Sequence, residues 1–281
     1  MPTPADEAAP TRWRRQKQFT AAVHLQNAHM PAVSLTLPKD RELFAFIFAR
    51  FIDGELTGIA EGRAMQYAPD LKSADFLARQ IRDEIRHARL YKGLLAYVSP
   101  ERPSPRQSWL LKQVTTPVSG RLWIEHCFLD KAVGERWVHY LMQMLIANTK
   151  DARIVKTLRA IARDEVTHIA FGEAQVKTSL AANRFMAAYL WGLYLRVDYA
   201  LALVHRLTRA LVRRRYSIEA TELLDMFFRD YRELALQEVA GLLGVPPQRS
   251  IWRLLKSQII YWARWPFVGW RQNPERAFRA S

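Results

Sequence analysis

From Asp40 onward, apolar residues return at intervals of three and four, and Leu43, Phe44, Ile47, Phe51 and Ile59 fall on one helical face. Pro69 cannot continue that helix, and Ser73 or Asp75 offers a cap for a second helix running through His87 to about Val98. The run from Ser99 to Pro105 carries three prolines and breaks the pattern. The same periodicity predicts further helices over 106–115, 119–148, 151–180, 184–214, 217–243 and 248–264. The alternation of a half-buried strand is absent nearly everywhere, so the fold class expected is all-α. The expected organisation is an N-terminal arm over residues 1–38, a four-helix bundle over 39–182 and C-terminal helices packed on it over 183–281. The longest apolar run, Phe185 to Val204, contains Arg196 and Asp198. Each charge costs ~2.5 kcal/mol or more inside a membrane helix, so a helix buried in protein is expected instead.

The two halves of the expected bundle echo one another. Arg82-Asp83-Glu84-Ile85-Arg86-His87 is matched by Arg163-Asp164-Glu165-Val166-Thr167-His168. Upstream, Phe51-Ile52-Asp53 is matched by Phe128-Leu129-Asp130, and Gly54-Glu55 by Gly134-Glu135. Residues three apart on a helix share a face, so Glu84 with His87, and Glu165 with His168, can each hold one cation. Glu55 and Glu135 lie about one helix-turn-helix earlier, where an antiparallel neighbour brings each to the same depth. Glu61 competes with Glu55, and Glu125 with Glu135. Six positions turn a helix about 120° off-face, so Glu55 and Glu61 cannot both point inward. The Gly-Glu echo favours Glu55 and Glu135. Four carboxylates buried together repel unless cations compensate them, and two divalent ions would cancel that charge. Asp83 and Asp164 precede the paired glutamates. A metal-bound imidazole usually gives its second N–H to a carboxylate, so Asp83 is expected at His168 and Asp164 at His87, the alternative being salt bridges to Arg82 and Arg163. His139, four residues after Glu135, and Tyr91, four after His87, are additional candidates, with core packing as the simpler expectation for both. His24 and His29 fall in the arm, His126 lies off the expected face, and Asp198 and His205 are expected to satisfy each other or a neighbour.

With Glu55, Glu84-x-x-His87, Glu135 and Glu165-x-x-His168 in place, residues 40–180 resemble the ferritin-like di-iron carboxylate superfamily. The resemblance implies a ferritin-like bundle, those six side chains as ligands of two iron ions (or of mixed manganese and iron), and dioxygen as co-substrate. Two E-x-x-H motifs look more like the oxygenase, desaturase and ribonucleotide reductase small-subunit branches than like ferritins. Asp83 to His87 resembles the motif of acyl-carrier desaturases, although the second copy lacks its arginine. Ile161 stands where N-oxygenases of p-aminobenzoate carry an added histidine. The activity implied is that of a di-iron oxidase or oxygenase acting on an organic substrate, apolar or carrier-bound, with an external electron donor. A ferritin-like tRNA hydroxylase, and a non-catalytic or iron-oxidising metal-binding protein, are the alternatives.

Composition narrows the partners. Cys127 is the only cysteine, which excludes an intrachain disulfide and a cysteine-based metal cluster and points to a reducing compartment. The net charge of +15 favours an acidic carrier protein, tRNA or an anionic membrane surface. Trp252, Trp262, Trp265 and Trp270 alternate with Arg and Lys near the C-terminus, in the pattern of an interfacial segment or of a helix closing the bundle. No signal peptide is evident, so a cytoplasmic monomer or homodimer, peripheral to the inner membrane if that tail binds lipid, is expected.

Overall fold

A computed structural model describes Leu35 and residues 38–100, 122–183 and 185–263. Its elements are α1 (Pro38–Glu61, followed by a 3-10 turn over Gly62–Tyr67), α2 (Leu71–Val98), α3 (residues 123–148), α4 (Ala152–Ala182), α5 (Phe185–Arg215), α6 (residues 218–243) and α7 (Ile251–Ala263). No β-strand occurs among the described residues, and the all-α class stands. The arm with His24 and His29, the helix expected over 106–115 and the tail with Trp265 and Trp270 lie outside the described residues, as does the side chain of Glu61.

Local chemistry sets the boundaries. The first helix stops at Glu61, short of Pro69. The second is capped by Asp70, not by Ser73 or Asp75: its carboxylate accepts the Ser73 N–H at 2.7 Å. Pro69 forces extended backbone just ahead of it, which leaves Asp70 the last residue free to turn its side chain onto the first helical turn. Asp151 and Ser217 cap α4 and α6 in the same way. Gly244, at φ 65°, ends α6 in the left-handed conformation that glycine adopts without strain.

The chain packs as a helical bundle. Helix α1 lies along α2, α3 lies along α4, and the two hairpins meet through α2 and α4. Phe48 and Phe51 of α1 pack on Tyr91 of α2, with Phe44 against Phe48, and the Tyr91 hydroxyl donates to Met142 Sδ of α3 at 3.1 Å. These aromatics are core. Helix α6 is tied to the bundle by Arg136 of α3, which pairs with Glu173 of α4 and Glu238 of α6. No described helix is long and apolar enough to cross a membrane. The Phe185–Val204 run instead buries Tyr189 to Leu195, and Asp198 is fully buried. Asp198 is held by Arg232 at 2.6 Å and Arg249 at 2.9 Å, while His205 pairs with Asp225 at 2.7 Å. The two residues therefore satisfy neighbours and not each other, since a buried carboxylate requires a cationic partner. On α7, Ser257 and Tyr261 turn inward, whereas Trp252, Leu255, Ile259 and Trp262 stay exposed.

Candidate metal centre

The two E-x-x-H motifs sit mid-helix on α2 and α4 and face each other across the bundle. Glu55 reaches them from α1 and Glu135 from α3. Glu55, Glu84, His87 and Glu165 place one donor atom each within 4.8 Å of one another, and so do Glu84, Glu135 and His168. All six predicted side chains are thus brought together, with Glu84 common to both groups. Glu165 joins the groups as well. Its Oε1 lies 3.2 Å from His87 Nδ1 and its Oε2 lies 3.1 Å from His168 Nδ1.

Both imidazoles use the same atoms. His87 turns Nδ1 to the acids and Nε2 to Asp164 Oδ2 at 3.2 Å. His168 turns Nδ1 to the acids and Nε2 to Asp83 Oδ2 at 3.6 Å. An ionised carboxylate only accepts, so His87 Nε2, held by Asp164, carries a proton and Nδ1 is the atom left to bind a cation; His168 is oriented alike, with Asp83 just beyond hydrogen-bond reach. Each aspartate stands at the histidine of the opposite motif. Neither pairs with the arginine before it: Arg82 and Arg163 donate to the carbonyls of Ala78 and Arg159. Arg86 takes that part, reaching Asp164 at 2.6 Å and Asp83 at 3.1 Å.

The electrostatics are those of a cluster short of positive charge. Burial raises the Glu84 carboxyl well above its usual range, and the neighbouring Glu55 adds to the rise. Burial raises Glu135 too, with the charges of Glu165 and Glu84 reinforcing it. For Glu165, burial is outweighed by hydrogen bonds from His168 and His87, which hold it well below the usual range. For His87, burial opposes protonation, yet hydrogen bonds to Glu165 and Glu55 push it up to about 11. Raised pKa values at Glu84, Glu135 and His87 offset part of the negative charge gathered there. Glu55 Oε2 and His87 Nδ1 are buried and face one another 3.7 Å apart, an arrangement that suits two ligands of one ion. Carboxylate and imidazole donors together can hold several divalent metals.

Three residues of the centre have no counterpart in the motif pattern. Gln80 Nε2 donates to Glu84 Oε1 at 2.8 Å and to Glu135 Oε1 at 3.1 Å. Lys131, 2% exposed, pairs with Asp130 and approaches Glu135 Oε1 at 3.4 Å. Arg86 is the third. A spacing of four marks the first two, since Gln80 precedes Glu84 and Lys131 precedes Glu135 by one helical turn. Gln80, Lys131, Gly58, Leu77, Ile81 and His126 line a small pocket beside this part of the cluster. A Cβ on Gly58 would lie 3.2 Å from Glu84 Cδ, so α1 passes close behind that carboxylate.

The other candidates fall elsewhere. Glu125 is buried and caps the start of α3: its Oε2 accepts the Leu122 N–H at 3.3 Å and its Oε1 accepts the Tyr189 hydroxyl. His139 is buried beside Gln143 and outside both donor groups, and burial lowers it to about 4. His126 is not at the surface but packs 3.8 Å from Asp130. Tyr91 is wholly buried, and burial, together with the nearby charges of Glu55 and Glu165, raises its hydroxyl well above the usual range. Helix α3 is π-helical over Cys127–Gly134, immediately before Glu135. Such wide turns recur at functional sites. No known protein family, curated protein or solved structure matches this chain.

Proposed function

We propose that α1 to α4 form a ferritin-like four-helix bundle holding two iron ions, and that the protein is an oxygen-dependent oxidase or oxygenase acting on an organic substrate. The observation that carries this reading is Glu165, which offers one carboxylate oxygen to the side of His87 and the other to the side of His168. Glu84 is shared in the same way, and Glu55 and Glu135 each serve one side. Few arrangements other than a pair of cations make four buried glutamates favourable. When bound, a ferrous pair supplies the electrons that activate dioxygen.

The chain's own part is to hold and to insulate. Glu84 and Glu165 fix the two positions relative to each other, and His87 presents Nδ1 because Asp164 holds its Nε2–H, while Asp83 faces Nε2 of His168. Arg86 neutralises both aspartates at the surface of the bundle. The packed aromatics of α1 and Tyr91 exclude water from the side of His87. The small pocket lined by Gln80 and Lys131 lies next to the side of His168 and has room for about one water, far short of an organic ligand site.

Protein purified from iron-supplied cells is expected to carry about two Fe per chain by elemental analysis. Anaerobic reduction followed by stopped-flow mixing with dioxygen is expected to give a transient absorbance in the near ultraviolet or visible. A metal-free chain, or a loaded one inert to dioxygen, removes the proposal. Replacing Asp164 by alanine frees the His87 ring to rotate and is expected to weaken metal occupancy roughly ten-fold or more. Unchanged metal content in that variant would refute the role given to Asp164.

A further inference from the structure

The two sides of the centre are not equivalent. On the side of His87, Glu55 Oε2 faces His87 Nδ1, 3.7 Å away, and among the described residues it pairs with no lysine or arginine. On the side of His168, Glu135 Oε1 already accepts from Gln80 Nε2 at 3.1 Å and from Lys131 Nζ at 3.4 Å. Lys131 is a buried cation on the π-helical turn that leads into Glu135, and its second partner is Asp130. A divalent ion arriving at the His87 side displaces no lysine. One arriving at the His168 side must take Glu135 from Lys131, which then keeps Asp130 alone, and must settle near a fixed positive charge. Coulomb repulsion at such distances is large in a partly desolvated site.

We infer that the centre fills in order: a tight divalent-cation site on the side of His87, then a weaker one on the side of His168, with the buried Lys131 ammonium setting the difference. Lys131 also lines, with Gln80, the small pocket next to the second position. This inference rests on the di-metal reading proposed above.

The test is a titration of the full-length metal-free protein with Mn(II), which binds without redox chemistry, followed by calorimetry and by the loss of the free Mn(II) electron paramagnetic resonance signal. Two steps are expected, separated by about ten-fold or more in Kd. Glu55→Gln should remove the tight step and Glu135→Gln the weak one. Lys131→Met keeps the side-chain length without the charge, and should tighten the weak step about ten-fold while the tight step stays within about two-fold. That variant leaves Asp130 without its lysine, so the double variant Asp130→Asn with Lys131→Met, which removes the pair together, is measured beside it and should behave alike. Two ions bound with equal affinity in the unaltered protein, or a separation unmoved in both variants, overturn the ordered filling and leave the di-metal reading intact. A chain that binds no Mn(II) at all overturns the di-metal reading, and the order falls with it.

Discussion

Glu165→Gln is expected to empty both sides of the centre in one step. Every other predicted ligand except Glu84 serves a single side, whereas Glu165 places its two oxygens 3.2 Å and 3.1 Å from the two inward-facing histidine nitrogens. Glutamine keeps the length and volume but leaves one oxygen and a neutral NH2, which repels a cation on one side and binds the other weakly. Losing an outer partner of a metal ligand typically costs ten- to hundred-fold in affinity, so losing a shared carboxylate should cost at least about 100-fold on each side. Elemental analysis after dialysis should find less than about a tenth of the metal bound by the unaltered protein. Glu55→Gln, measured beside it, should keep the ion on the side of His168. Circular dichroism separates this outcome from unfolding, because the helices of α2 and α4 do not depend on the Glu165 charge for their packing. Full retention of one ion in Glu165→Gln would show that the carboxylate is not shared, and the two-ion centre would lose its main support.

Much of this was legible in the sequence for a definite reason. Helical periodicity is local, and α2 to α7 begin and end within a few residues of where apolar spacing places them, whereas α1 stops at Glu61 and a 3-10 turn carries the chain on toward Pro69. The six-residue cluster was legible because it is written twice, and because spacings of three residues and of a whole hairpin both translate directly into position. The local argument failed where geometry departs from the regular helix. Phe51 lies four positions before Glu55, whereas Phe128 lies seven before Glu135, and that offset falls on the π-helical turns of Cys127–Gly134. A 3.6-residue count cannot phase Lys131, Asp130 or His126 through such a segment, which is why Lys131 went unnoticed and His126 was placed off the inner face. The partners of Asp83 and Asp164 were partly legible. The cross-bundle histidines follow from the two-fold repeat, but Arg86 bridging both aspartates requires α2 and α4 to meet face to face. The pairing of Asp198 with Arg232 and Arg249 links three helices distant in sequence, and no local spacing announces it. The net charge of +15 located no surface, since many of the arginines are spent on pairs such as these.

Gly172→Ala is expected to damage the fold and the centre together, through contact alone. Gly172 lies one turn beyond His168 on α4, where that helix crosses the π-helical part of α3. A Cβ there would meet Lys131 Cβ at 2.6 Å, the Cys127 carbonyl oxygen at 2.7 Å and the Ala132 nitrogen at 2.9 Å. Two of those atoms are backbone, so no rotamer change relieves them. Ordinary contact begins near 3.4 Å, so the helices must part by about 0.7 Å against the oxygen alone. Overpacking of this kind costs roughly 1–3 kcal/mol, occasionally more, which should lower Tm by several degrees in a chain of this size. The separation also draws Glu135 away from His168, which stand 4.0 Å apart, while Glu55 and His87 on α1 and α2 keep their relation. Metal should therefore be lost first on the side of His168, as a selective drop in the weaker binding step and not a proportional loss of both. Gly93→Ala supplies the control of opposite sign. Gly93 is exposed on α2, more than a turn before its end at Val98, with nothing within 4 Å of its would-be Cβ, so alanine should stabilise the helix by up to about 0.8–1.0 kcal/mol through propensity alone. Thermal melts that move the two variants in opposite directions, with metal lost only from Gly172→Ala, would show that the close crossing of α3 and α4 sets the position of Glu135. Equal melting temperatures would mean that α3 can shift without cost, and the π-helical segment would then be a hinge and not a fixed support for the site.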